Sequence, residues 1–215
     1  MRDLDLLLYG LGGYYLLKVL SQEGFFQVNE EDQTGNFLDE LPDAEDVANM
    51  AQGVEMEYQV QQQNITSFLR AIRYAEGTLG DEGYRALFGW RQGNGKTFSS
   101  FADHPRQYFN YTDLSGKTIK TSAAGAYQIT ATTYDLLRKK YPSFSGFSAA
   151  TQDQMALALI RDVGALDDVK NGRIETAVKK CRKIWASLPE SNVNQPTRSM
   201  EQVIAAYTKA GGALA

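Results

Sequence analysis

The chain has 215 residues, 43% hydrophobic, 22% charged and 11% aromatic, with a formal net charge of −4. That is enough for one domain with a real core plus an appendage. One cysteine, Cys181, excludes an internal disulfide, and one histidine, His104, excludes a multi-histidine zinc site.

The charge is unevenly spread. Residues 21–69 hold no Lys or Arg and eleven acidic residues, whereas residues 70–215 hold 20 basic and 13 acidic ones. A basic C-terminal part suits an anionic partner such as a cell-wall polymer, a membrane surface or nucleic acid, or is an unremarkable surplus. Its cations are dispersed and not interleaved with aromatics, which argues against nucleic acid.

Residues 6–20 (LLLYGLGGYYLLKVL) are strongly apolar but shorter than a membrane-spanning helix needs, and Lys18 sits among them. Their glycines permit close packing. They read first as a docking or anchor segment, then as an uncleaved membrane helix, then as a core helix. Residues 21–41 read as an acidic linker. From Pro42 and Asp43, apolar residues at Val47, Met50, Val54, Tyr58, Ile65, Phe68 and Ile72 follow helical steps. This helix either runs on or breaks at Asn64, a good N-cap, and is either a solvated connector or a coiled-coil contact.

Residues 65–78 (ITSFLRAIRYAEGT) are the centre of the reading. Ile65, Phe68, Leu69, Ile72 and Ala75 mark a core-facing helical stripe, and Glu76 continues it. Gly77 suits the C′ position, which puts Glu76 in the last turn. Burial and the negative end of the helix dipole both disfavour the anion, so its pKa should rise and the group can act as a general acid. The competing reading is a solvated helix-end carboxylate or a partner of Arg73.

Residues 79–96 read as a Gly-rich loop pinned by YRALFGW. YFNYTDLSGKTIKT predicts two short strands around a Ser115–Gly116 turn. In SAAGAYQIT the small residues before Tyr127 and Gln128 imply close backbone approach. Helices follow at 132–140, at 151–164 opened by a Thr151/Gln154 capping box, at 174–187, and from Ser199/Gln202 to Gly211. Cys181 falls on an apolar face with Ile174, Ala177, Val178, Ile184 and Trp185 and reads as core. The fold class is α+β: a mainly helical domain with a small antiparallel sheet at 65–215, preceded by an apolar and acidic extension at 1–64.

A buried acid beside a groove of aromatic and amide side chains suits sugar-polymer cleavage. A hydrolase commonly pairs two carboxylates. The candidates for the second, Asp81, Glu82, Asp103 and Asp113, all lie in polar sequence. A one-carboxyl mechanism is therefore a serious competitor. No GxGxxG, Walker, HExxH or GxSxG pattern is present.

AEGT at 75–78, YRALFG at 84–89, FADHPR at 101–106, SAAGAYQI at 122–129, FSAATQDQMAL at 147–157, GAL at 164–166 and KIWASLP at 183–189 together resemble the phage lambda lysozyme (endolysin) family. The resemblance covers residues 65–215. It implies a lysozyme-like fold and a lytic transglycosylase that cleaves peptidoglycan between N-acetylmuramic acid and N-acetylglucosamine, leaving a 1,6-anhydro end, without metal or cofactor. It also implies catalysis by Glu76 and substrate contacts from Ser122, Gly125, Tyr127, Gln128 and Tyr84. Asp103 and His104, in the DHPR motif, are either structural or cleft-lining.

The resemblance does not reach residues 1–64. Partners expected there are virion proteins or a membrane, through residues 6–20. The expected location is the phage virion or the host envelope and its periplasm. The alternatives are a water-adding muramidase and an inactive virion structural or wall-binding protein.

Overall fold

The computed structural model describes residues 44–191 and 197–215. The apolar stretch 6–20 and the acidic linker 21–41 lie outside the described residues. The chain divides into two units, 1–59 and 60–215. In the first, the described residues belong to helix α1, Ala44–Glu76, and expose Met50, Met56 and Tyr58. Among the described residues no helix is long and apolar enough to cross a membrane.

The helix does not break at Asn64. A capping role was one option there, but the side chain bonds away from its own helix. Asn64 Nδ2 donates to the Lys170 carbonyl at 2.9 Å, and its Oδ1 accepts from the Ala213 amide at 2.8 Å. Buried at 2% exposure, this amide is satisfied by distant chain, so helix α1 passes through it.

In the second unit, α1 contributes Phe68 and Ile72, both fully buried, to a core completed by α2 to α6. These helices are α2 Ala131–Lys140, α3 Ala149–Asp162, α4 Leu166–Lys170, α5 Ile174–Cys181 and α6 Met200–Lys209. Tyr134 of α2, Met155 and Ile160 of α3, Val178 of α5 and Tyr207 of α6 meet in that core. Strands β1 Phe109–Thr112 and β2 Thr118–Thr121 form a two-stranded antiparallel sheet, with Tyr111 opposite Ile119. Asp113 Oδ1 closes the hairpin by accepting from the amides of Ser115 and Lys117 at 2.9 and 3.0 Å.

Two predicted boundaries move. Ser148, not Thr151, caps α3: its Oγ accepts from the Thr151 amide at 3.1 Å, while the Thr151 hydroxyl donates to the Ser145 carbonyl. Helix α5 stops at Cys181 and does not reach Ser187. Beyond it the chain folds into tight turns, with Ile184 and Trp185 amides both donating to the Cys181 carbonyl. The turns let Trp185 Nε1 reach the Tyr127 carbonyl at 3.0 Å, a contact a continued helix would misdirect. The Ser199/Gln202 capping box opens α6. Cys181 is fully buried, and burial pushes its thiol pKa up to about 12, which suits a small core residue.

Candidate active site

Glu76 ends α1 in a Schellman motif. Gly77, at φ +74°, sits at C′; its amide donates to the Tyr74 carbonyl, and the Thr78 amide donates to the Arg73 carbonyl. The turn is then locked from outside. Thr78, 2% exposed, donates its hydroxyl to the Ala126 carbonyl at 2.5 Å. Arg73 points away from Glu76: its guanidinium lies 4.2 Å from the Tyr84 ring centre and donates to the Tyr84 hydroxyl and the Gly80 carbonyl. The carboxyl of Glu76 is thus left without a cation among these contacts.

Burial pushes the Glu76 pKa from 4.5 up to about 7. A hydrogen bond from Ser187 Oγ to Glu76 Oε1, at 2.6 Å, acts in the opposite direction but is the weaker effect. The side chain is half-buried, so the group is desolvated yet reachable. At neutral pH a large share of it carries a proton. Ser187 was not singled out from the sequence, where it read as the end of an amphipathic helix.

The segment 122–129 lies beside this turn. Ala124 and Ile129 exchange backbone hydrogen bonds, and the Gly125 amide donates to the Ala86 carbonyl at 2.7 Å. Gly125 adopts φ +75°, and a Cβ there would strike the amide of Gln152 and the ring of Phe147. Gln152, fully buried, accepts from the Ala126 amide and donates to the carbonyls of Tyr84 and Phe147. Gln128 is held at φ +47°, a left-handed conformation costing a non-glycine residue about 1 kcal/mol or more. Its side-chain amide donates to the Gly125 carbonyl at 3.0 Å and is half-buried.

The residues expected to touch substrate separate into two groups. Glu76, Gln128 and Tyr84 keep accessible atoms. Tyr127, 2% exposed, does not: its hydroxyl donates to Asp153 Oδ1 at 2.6 Å, and burial with Asp153 beside it raises its pKa. Tyr84 donates to the same carboxylate. Asp153, unmarked in the sequence, therefore joins the Tyr127 segment, the Tyr84 loop and α3. Ser122 is also buried, its Oγ accepting from the Ala131 amide where α2 begins. Ser122, Gly125 and Tyr127, expected to contact substrate, are buried here: the Ser122 Oγ and the Tyr127 hydroxyl bond within the protein, and Gly125 packs on Gln152 and Phe147.

His104 and Asp103, read as either structural or cleft-lining, bond within the protein. His104 is 3% exposed; its Nδ1 accepts from the Arg106 amide and its Nε2 pairs with the Ile129 carbonyl at 2.9 Å. A carbonyl must accept, so Nε2 carries the proton and the ring is neutral. Burial agrees, holding its pKa below the usual value. Asp103 is exposed and pairs with Arg106 and Arg138 at 3.4 and 3.9 Å. The DHPR motif thus pins Ile129 to α2. Among the described residues no cluster of His, Cys, Asp and Glu is arranged to hold a metal ion.

The family model described as Endolysin matches residues 66–214. The chain belongs to the Endolysin family. It is 35% identical to the endolysin of Escherichia phage P2 over 156 residues, covering 70% of this chain and 94% of that protein. It is 33% identical to the endolysin of Escherichia phage lambda over 152 residues, covering 68% and 90%. Among solved structures, a bacteriophage lambda lysozyme complexed with a chitohexasaccharide matches with a TM-score of 0.62 at 32% identity, covering 71% of this chain and 97% of that one. A second lambda lysozyme structure matches with a TM-score of 0.59 at 28% identity. The lysozyme-like fold of this endolysin-family chain follows from these matches.

Proposed function

We propose that this endolysin-family chain cleaves the β-1,4 bond from N-acetylmuramic acid to N-acetylglucosamine in peptidoglycan, as a lytic transglycosylase. The observation that carries the reading is the desolvated Glu76 carboxyl, its pKa raised to about 7 beside a polar turn. The chitohexasaccharide bound to the lambda lysozyme supports a β-1,4-linked amino-sugar polymer as the substrate class.

Protonated Glu76 donates to the glycosidic oxygen as the bond to the muramic C1 breaks. The transition state has oxocarbenium character. The muramic C6 hydroxyl oxygen then bonds to C1, and its proton passes to the Glu76 carboxylate, which restores the acid. Gln128 holds a substrate amide or hydroxyl, and Tyr84, which shares the Asp153 carboxylate with the buried Tyr127, supplies a further contact.

Water-adding hydrolysis ordinarily needs a second carboxylate. Asp103 is committed to arginines and Asp113 to the hairpin turn, while Asp81 and Glu82 lie exposed on a 3-10 turn. Asp153 is committed to Tyr84 and Tyr127. That favours the one-carboxyl route.

The test is mass spectrometry of products from purified peptidoglycan. Anhydro-ended muropeptides, lighter by one water than reducing ones, are expected. Reducing ends would overturn the transglycosylase step and leave a muramidase. Glu76→Gln should keep the fold and lose about 10²–10⁴-fold in rate. Residues 6–20 are proposed as a docking segment toward virion proteins or a membrane. Retention of the chain on purified virions or vesicles, lost when 1–43 are deleted, is the corresponding check.

A further inference from the structure

Besides the Glu76 site, the second unit holds a pocket of about 370 Å³ between α1 and α6. Tyr74, Leu79, Ala205 and Ala206 give it apolar walls, and Gln202 adds an amide. Arg70 and Lys209 stand at its edge, both exposed. Among the described residues neither cation makes an ion pair. A third cation, Arg198, lies 5.2 Å from the centre of the Tyr74 ring. Among the described residues no carboxylate lines the pocket; Glu201, next to Gln202, is exposed outside it.

The pocket is tied to the acid. The Arg198 amide donates to the Ser187 carbonyl at 2.9 Å, and Ser187 Oγ donates to Glu76 at 2.6 Å. Tyr74 belongs to the same final turn of α1 as Glu76. Tyr74 and Glu76, two residues apart, leave the helix on different faces, so a group reaching from a sugar held at Glu76 would meet this pocket by passing the end of α1 along Ser187 and Arg198.

The glycan itself is uncharged and has no use for unpaired cations. The charged part of peptidoglycan is the peptide stem, which carries alanyl methyl groups and free carboxylates. We propose that this pocket is a subsite for that stem, an inference that rests on peptidoglycan being the substrate. Methyl groups pack on Tyr74, Leu79, Ala205 and Ala206, while carboxylates face Arg70 and Lys209. The volume is near the lower end of the roughly 300–1,000 Å³ of small-ligand sites, which suits a short peptide and not a folded partner.

The experiment measures kcat and KM on two polymers: glycan strands with peptide stems, and strands stripped of stems by an amidase, with the lactyl carboxylates so freed converted to neutral methylamides. Wild-type full-length chain is compared with Arg70→Gln/Lys209→Gln and with a control of equal charge change, Lys139→Gln/Lys179→Gln. The double pocket variant should raise KM about 5–10-fold on stem-bearing strands, with kcat unchanged and no effect on stripped strands. The control should change neither.

Equal KM values for wild type on both polymers, or equal losses on both in the pocket variant, would overturn the subsite. Faster cleavage of both by the pocket variant would overturn it too. Cleavage of neither polymer by wild type would remove the peptidoglycan reading itself.

Discussion

A hydroxyl that donates to a carboxyl oxygen favours the ionised form over the neutral one. At Glu76 that donor is Ser187, 111 residues further along the chain, and it pulls against the burial that raises the pKa to about 7. Removing it should push the pKa further up. Ser187→Ala should therefore move the alkaline fall of kcat/KM to higher pH by about one unit, since a hydrogen bond to a charged group is worth roughly 1.5–3 kcal/mol and part is recovered from water. A pH–rate profile checks it; an unmoved or acid-shifted limb would mean that the hydroxyl does not set the acid. The placement of Glu76 was legible in sequence because its causes are local: a stripe at helical spacing and a glycine after it. Ser187 was illegible because its role exists only through distant packing. Asp153 was hidden for the same reason, as one carboxylate on a helix whose partners lie 69 and 26 residues away.

Among elements, the segment 122–129 shows how far small residues can be read. Their spacing announced a close approach, and one is there. What approaches Gly125 is the Gln152 amide and the Phe147 ring, and nothing in the local sequence names those partners. Gly125→Ala should cost both the left-handed backbone and the collision, about 2–4 kcal/mol. Gly116 in the hairpin turn is the comparison: it has φ +86° but nothing within 4 Å of a Cβ. Gly116→Ala should cost only about 1 kcal/mol. Urea titrations of the two variants measure the difference, and equal midpoints would show that Gln152 yields. Helix ends were legible where the capping side chain bonds locally, as at Ser199. They were misplaced where it competed, as at Thr151, or where a tertiary contact ended the helix early, as at Cys181. The fold class survived these errors because it depends on which faces are apolar, not on where each helix stops.

Over the whole molecule, two carboxylates, half-buried Glu76 and buried Asp168, tilt stability in opposite directions with pH. Glu76 has its folded pKa raised from 4.5 to about 7. Between those values the unfolded chain has lost this proton and the folded chain keeps it, so stability falls as pH rises through the window. The contribution is fully present below about pH 4.5 and lost above 7, at most on the order of 3 kcal/mol. Asp168 behaves in reverse. It is 6% exposed, and hydrogen bonds from Lys180 and then Arg173 hold its pKa below the ordinary carboxylate value. Its contribution is present at neutral pH and lost as pH falls through that lowered pKa. Glu76→Gln, a neutral stand-in for the protonated acid, should therefore match wild type near pH 4 and exceed it near pH 8. Asp168→Asn should be weaker than wild type at neutral pH and draw level in strong acid. Chemical denaturation across pH 3–9 gives both curves. If the Glu76→Gln curve runs parallel to wild type, the carboxyl is not held by its surroundings in the neutral form, and a solvated, ionised glutamate would have no proton to give at neutral pH.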